Sequence, residues 1–111
     1  MYVYDQANEL ARSLKESKEY LEYKKAKEEV KSVPELKEKI DEFEKIRYET
    51  QLLTIQGEQQ SEEKMNKLKE LYQILMQNPK VKEYFDVEVR FNIMLADVNK
   101  IIGESVKDVL Q

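Results

Sequence analysis

The sequence predicts an all-α protein, and three observations carry that prediction. Only two Gly and two Pro occur in 111 residues, too few for the turns of a barrel or a sandwich. Charged residues make up 38% and hydrophobic ones 41%, the balance expected of amphipathic helices. Apolar residues return at helical spacing after every Pro or Gly break. The expected architecture is a five-helix bundle of helical hairpins with a long C-terminal helix, folded as one domain over residues 1–111.

Ala7, Leu10, Ala11 and Leu14 recur at i, i+3, i+4 and i+7 and mark a first helix over residues 3–16. Its small-residued apolar face is expected to pack closely. A second helix over 18–32 puts Tyr20, Tyr23, Ala26 and Val30 on one face, with Ser17 as N-cap. Pro34 opens the third, because a proline at the first helical position loses no hydrogen bond. Leu36, Ile40, Phe43, Ile46, Thr50 and Leu53 form its stripe, which runs to Gln56 before Gly57 ends it. Ser61 caps the fourth helix with Lys64, not Glu, three places on, so the full capping box is missing. That helix carries Met65, Leu68, Leu71, Tyr72, Leu75 and Met76 as far as Asn78-Pro79.

Pro79 repeats the Pro34 arrangement. Residues 34–41 align with 79–86 at an offset of 45, with four identities and two apolar matches in eight positions. Upstream, Tyr23, Ala26 and Val30 fall on Leu68, Leu71 and Leu75. The alignment implies either a helix–Pro–helix hairpin present twice, one copy short of the three that a solenoid needs, or a chance match between segments rich in Lys and Glu.

The last helix, expected over 79–110, would be about 48 Å long at 1.5 Å per residue. Glu83, Asp86, Arg90, Asp97, Lys100, Glu104 and Asp108 fill one wedge of it and leave an apolar arc of roughly 200°. One intramolecular neighbour does not cover so wide an arc, so a homodimer seam is expected at Phe91, Met94, Leu95, Val98 and Ile102. Gly103 is the position at which the helix would break instead. Glu88, Asn92 and Asn99 lie within about 40° of one another inside the arc, and buried polar groups need partners. They are read as lying at the edge of the arc, or as interface residues that bond one another and a partner helix to fix register. A ligand or metal site around Glu88 is the sharper alternative, but one carboxylate is too few for a hard metal.

Composition removes most chemistry. With no Cys and no His there is no thiolate nucleophile, no imidazole base, no disulfide, and no zinc or iron–sulfur ligand set. The chain is read as a non-enzyme without cofactor or metal. A net charge of −4 from 19 basic and 23 acidic residues disfavours nucleic acid and anionic membranes. Lys24, Lys27 and Lys31 line one helix face and are the candidate RNA contact, although Glu28 and Glu29 beside them favour an ion-paired, solvated face. The opening Met1-Tyr2-Val3-Tyr4-Asp5 lacks a basic leader, and no apolar run approaches the ~18 residues of a membrane span. A cytoplasmic protein is expected.

Several segments taken in order resemble one family. Glu16-Ser17-Lys18-Glu19-Tyr20 before a Lys-rich helix, the Pro34-Glu35-Leu36 restart, the Gly57-Glu58 loop, and Glu88-Val89-Arg90-Phe91 through Asp97-Val98-Asn99-Lys100-Ile101-Ile102 are similar to the YlbF/YmcA family, in its YheA-like branch. The resemblance implies a small, self-associating all-α protein of low-GC Gram-positive bacteria, built of paired helical hairpins. Its better-studied relatives regulate competence, sporulation and biofilm formation. They act with a third protein on an endoribonuclease that matures messenger RNA, in a complex that holds iron–sulfur clusters on Cys ligands. Without Cys, cluster ligation transfers to no position here, and no catalytic residue transfers either. Two functions follow as expectations: a non-catalytic regulatory adaptor working as a homodimer with an unidentified protein partner, or an accessory factor that contacts RNA or an endoribonuclease complex.

Overall fold

A computed structural model describes residues 2–110. Among these residues lie six helices and no strand: α1 (Val3–Glu16), α2 (Lys18–Lys31), α3 (Pro34–Ile55), α4 (Glu62–Leu75), α5 (Pro79–Ser105) and α6 (Lys107–Leu110). The all-α class stands. The count rises from the expected five because the last helix divides at Val106. Gly103 is not the break, since it sits inside α5. At the division the Ser105 hydroxyl donates 2.7 Å to the Ile102 carbonyl, the acceptor that the Val106 N–H would use in a continuing helix. That N–H turns to Gly103 O at 3.3 Å, and the last turn tightens and stops.

The chain separates into two compact units, Met1–Ala26 with Tyr84–Gln111, and Lys27–Glu83. In the second unit α3 and α4 pack as a hairpin. Pro34 occupies the first turn of α3 behind an extended Val33 (φ −97°, ψ 110°). At the other end Gly57 takes φ 73°, the left-handed region in which a missing Cβ removes the clash. Its N–H bonds to Thr54 O at 3.1 Å and that of Glu58 to Leu53 O at 2.9 Å, the two bonds of a Schellman stop. Ser61 Oγ then accepts from the Lys64 N–H at 3.3 Å and opens α4.

Ile40, Phe43, Ile46 and Thr50 of α3 and Leu71 and Leu75 of α4 are buried. Each large apolar side chain so buried contributes about 1.5–3 kcal/mol. The one hydroxyl in that set, Thr50 Oγ1, donates 2.8 Å to Arg47 O. Phe43 and Tyr72 meet across the hairpin with ring centres 6.0 Å apart, and the Arg47 guanidinium lies 5.4 Å from the centre of the Phe43 ring. Ion pairs line the outside. Lys64 to Glu49 and Lys67 to Glu42 are each 2.8 Å, and Lys31 bonds to Asp41.

The offset-45 recurrence is visible in burial. Ala26 and Leu71, Val30 and Leu75, and Ile40 and Phe85 are all buried. At Pro79 the repeated restart gains a cap that Pro34 lacks, because Asn78 Oδ1 accepts from the Lys80 N–H at 2.9 Å.

In the first unit Ser17 closes α1 and opens α2. Its hydroxyl donates to Leu14 O at 2.6 Å and accepts from the Tyr20 N–H at 3.1 Å. The close packing expected of α1 is not made within this chain: the helix buries no side chain, and only Leu14 is half-buried. Periodicity gave α1 an apolar face, and within this chain that face is not covered.

Candidate interaction surface

Aromatic packing joins α2 to α5 in the first unit. Tyr23 lies 5.8 Å from Tyr84 and 5.4 Å from Phe91 between ring centres, and Tyr20 lies 6.1 Å from Phe91. These residues come from two apolar stripes, so the helical period brings them together. Glu88 is buried beside them at 8% exposure, and Tyr23 Oη donates a 3.2 Å hydrogen bond to its Oε2. The carboxylate thereby keeps a donor in a place where an uncompensated charge is costly.

One turn further along, Ile93, Met94 and Val98 of α5 meet Lys18, Glu19 and Glu22 of α2 around an open groove of about 420 Å³, with Arg90 and Asp97 at its edge. Apolar side chains flanked by charged ones in an open groove can seat a helix or a peptide. Beyond half-buried Val98, α5 loses its covering: Ile101 is 70% exposed and Ile102 51%.

The residues singled out from the sequence are thus dispersed. Glu88 is buried, Phe91, Met94, Leu95 and Val98 are half-buried, and Asn92, Asn99 and Ile102 are exposed. The structure does not bring Asn92 and Asn99 into a buried polar set with Glu88; Tyr23 is the group brought to that carboxylate. That partnership was missed, and its one signal was a polar tip on each of two apolar stripes. Among the lysines, Lys24 and Lys27 are exposed, whereas Lys31 is half-buried, bonded to Asp41 and 3.7 Å from Glu44. Among the described residues no group of three or more Asp or Glu is placed to hold a metal ion, and no helix is long and apolar enough to cross a membrane.

The family described as "Control of competence regulator ComK, YlbF/YmcA" matches residues 3–107. The chain belongs to the YlbF/YmcA family. A UPF0342 protein of Symbiobacterium thermophilum is 39% identical over 104 residues, covering 94% of this chain and 93% of that protein. Another from Caldicellulosiruptor bescii is 38% identical over 105 residues, covering 95% and 88%. Among solved structures, a protein of unknown function (DUF964) from Bacillus stearothermophilus superposes with a TM-score of 0.81 at 16% identity, over 98% of this chain and 96% of that one. Bacillus subtilis RicA, solved in complex with RicF, superposes with a TM-score of 0.63 at 22% identity over the same shares. At such identities the structural matches establish the family's helical fold.

Proposed function

We propose that the chain is a non-catalytic regulatory adaptor of the cytoplasm that works by protein–protein contact, as a homodimer sealed through the C-terminal half of α5. The observation that carries this reading is the uncovered apolar stripe on α5, where Ile101 and Ile102 follow half-buried Leu95 and Val98 out to solvent. Contiguous apolar surface on a soluble helix marks a contact site. Two further facts support it. The RicA structure of the same fold was solved as a complex with another protein, and one family match spans both compact units, in keeping with a single working domain.

Sedimentation at micromolar concentration tests the reading. The expected species has twice the 13.3 kDa chain mass. A folded monomer that stays monomeric under those conditions overturns the dimer.

A further inference from the structure

We propose that α1 of one copy lies along the exposed tail of α5 of a second copy, so that the dimer is closed by two reciprocal α1–α5 contacts. This deepens the homodimer reading and rests on it.

Two helix faces of the same compact unit are uncovered. On α1, Val3, Ala7, Leu10, Ala11 and Leu14 share one face, and none of them is buried. On α5, Leu95, Val98, Ile101 and Ile102 share another, with Ile101 and Ile102 more than half exposed. The first stripe is about 16 Å long and the stretch from Leu95 to Ser105 about 15 Å at 1.5 Å per residue. Each helix therefore offers a face that the other matches in length, and within one chain neither covers the other.

The area approaches what a stable dimer needs. Burying a large apolar side chain gains about 1.5–3 kcal/mol at roughly 25 cal/mol per Å², hence on the order of 100 Å² each. On these two faces Val3, Leu10, Ile101 and Ile102 are exposed and supply on the order of 400 Å² per chain. Ala7, Ala11, Leu14, Leu95 and Val98 extend the contact towards the roughly 600 Å² at which the range for each partner of a stable complex begins.

Helix formation points the same way. A helix of 14 residues is marginal on its own in water, so a covering surface must hold α1, and its own chain provides almost none. A twofold axis supplies both missing surfaces with one operation, because the contact of α1 with the partner's α5 is repeated as that of α5 with the partner's α1. A foreign partner would have to match both faces separately.

The native chain has no Cys, so engineered thiols report cleanly. Full-length chains carrying Leu10→Cys or Ile101→Cys, of different tag length, are mixed and treated with a short bismaleimide. The expected product joins one chain of each kind. A second variant, Leu10→Glu, is expected to weaken the dimer at least tenfold, because each dimer contains the lost contact twice. Its far-UV circular dichroism reports that the fold persists. Dimers that form normally, give no mixed cross-link and are unaffected by Leu10→Glu overturn the α1 placement alone. A wild-type chain that is monomeric at micromolar concentration overturns the homodimer and this contact together, and leaves a foreign protein as the occupant of both faces.

Discussion

Tyr23 and Glu88, 65 positions apart, are joined by a 3.2 Å hydrogen bond from phenol to carboxylate within the aromatic packing of α2 on α5. The bond ties the start of the chain to its last long helix. Removing the phenol by Tyr23→Phe takes a donor from a buried carboxylate while leaving the ring contacts with Tyr84 and Phe91 in place. The expected loss is about 1–3 kcal/mol of unfolding free energy, read from urea denaturation. Glu88→Gln keeps an acceptor for the phenol and should cost less. Equal stability of Tyr23→Phe and wild type would show that the bond contributes nothing.

The hairpin core predicts a larger effect. Leu75 is 1% exposed, and Leu75→Ala should leave a cavity costing about 2–5 kcal/mol. Met65 on the same helix is 42% exposed, and Met65→Ala should fall within about 0.5 kcal/mol of wild type. Denaturant midpoints for the two variants separate the cases.

The two glycines should respond in opposite directions. Neither would meet a neighbour if a Cβ were added, so backbone conformation decides. Gly57→Ala puts a side chain at φ 73° and should destabilise by about 1 kcal/mol. Gly103→Ala lies within α5 and should stabilise by about 0.5–1 kcal/mol. Thermal melts of the two variants should move to opposite sides of wild type.

Stability should fall at both extremes of pH. The hydrogen bond from Lys31 holds the Asp41 carboxyl below its ordinary 3.8, and that from Lys64 holds Glu49 below its ordinary 4.5. A carboxyl held lower in the folded state stabilises above its unfolded pKa and loses that contribution as pH falls through the folded one. The hydrogen bond to Glu42 raises Lys67 above its ordinary 10.5; its contribution is complete below that value and disappears as pH climbs past the raised one. All three groups face solvent, so the effects are small and screened by salt. Melting temperatures should decline below about pH 4 and above about pH 10.5, and Asp41→Asn with Glu49→Gln should flatten the acid side alone.

Leu95→Glu tests the dimer seam directly. Leu95 is half-buried on α5 in the stripe assigned to the seam, and each copy of the dimer would bury a carboxylate there against apolar side chains with no partner for its charge. The dimer should split in sedimentation while far-UV circular dichroism stays helical. A variant that remains dimeric moves the seam elsewhere, for which the exposed Leu52 and Ile55 with Leu53 at the end of α3 are the next candidates.

Helix starts and stops were legible wherever a single residue decides them locally. Ser17, Pro34, Gly57 and Ser61 each act within four residues of the chain, and each does what its chemistry requires. The end of α5 was less legible: the apolar period runs on to residue 110 and the one residue that suggested a break, Gly103, lies inside the helix, while the interruption falls at Val106, where no Pro or Gly marks it. Contacts between distant segments were harder. Periodicity assigned Tyr23 and Glu88 to apolar faces and had no means of pairing them, and it gave α1 an apolar face without saying whether this chain would cover it. A pattern of side chains states that a surface avoids water; the identity of the surface that meets it is a property of the assembly.

Ser17 makes the aim of α1 a matter of one residue. Its φ of −67° and ψ of 151° join two 14-residue helices with no spare link between them. Turning that hinge by about 20° would swing the far end of a helix roughly 20 Å long through about 7 Å. Inserting one residue there would roll the apolar stripe of α1 by about 100° around its axis. The spacing across this joint is therefore a gauge: sequences that keep it can point the arm alike, and those that lengthen it by one must find another face to use.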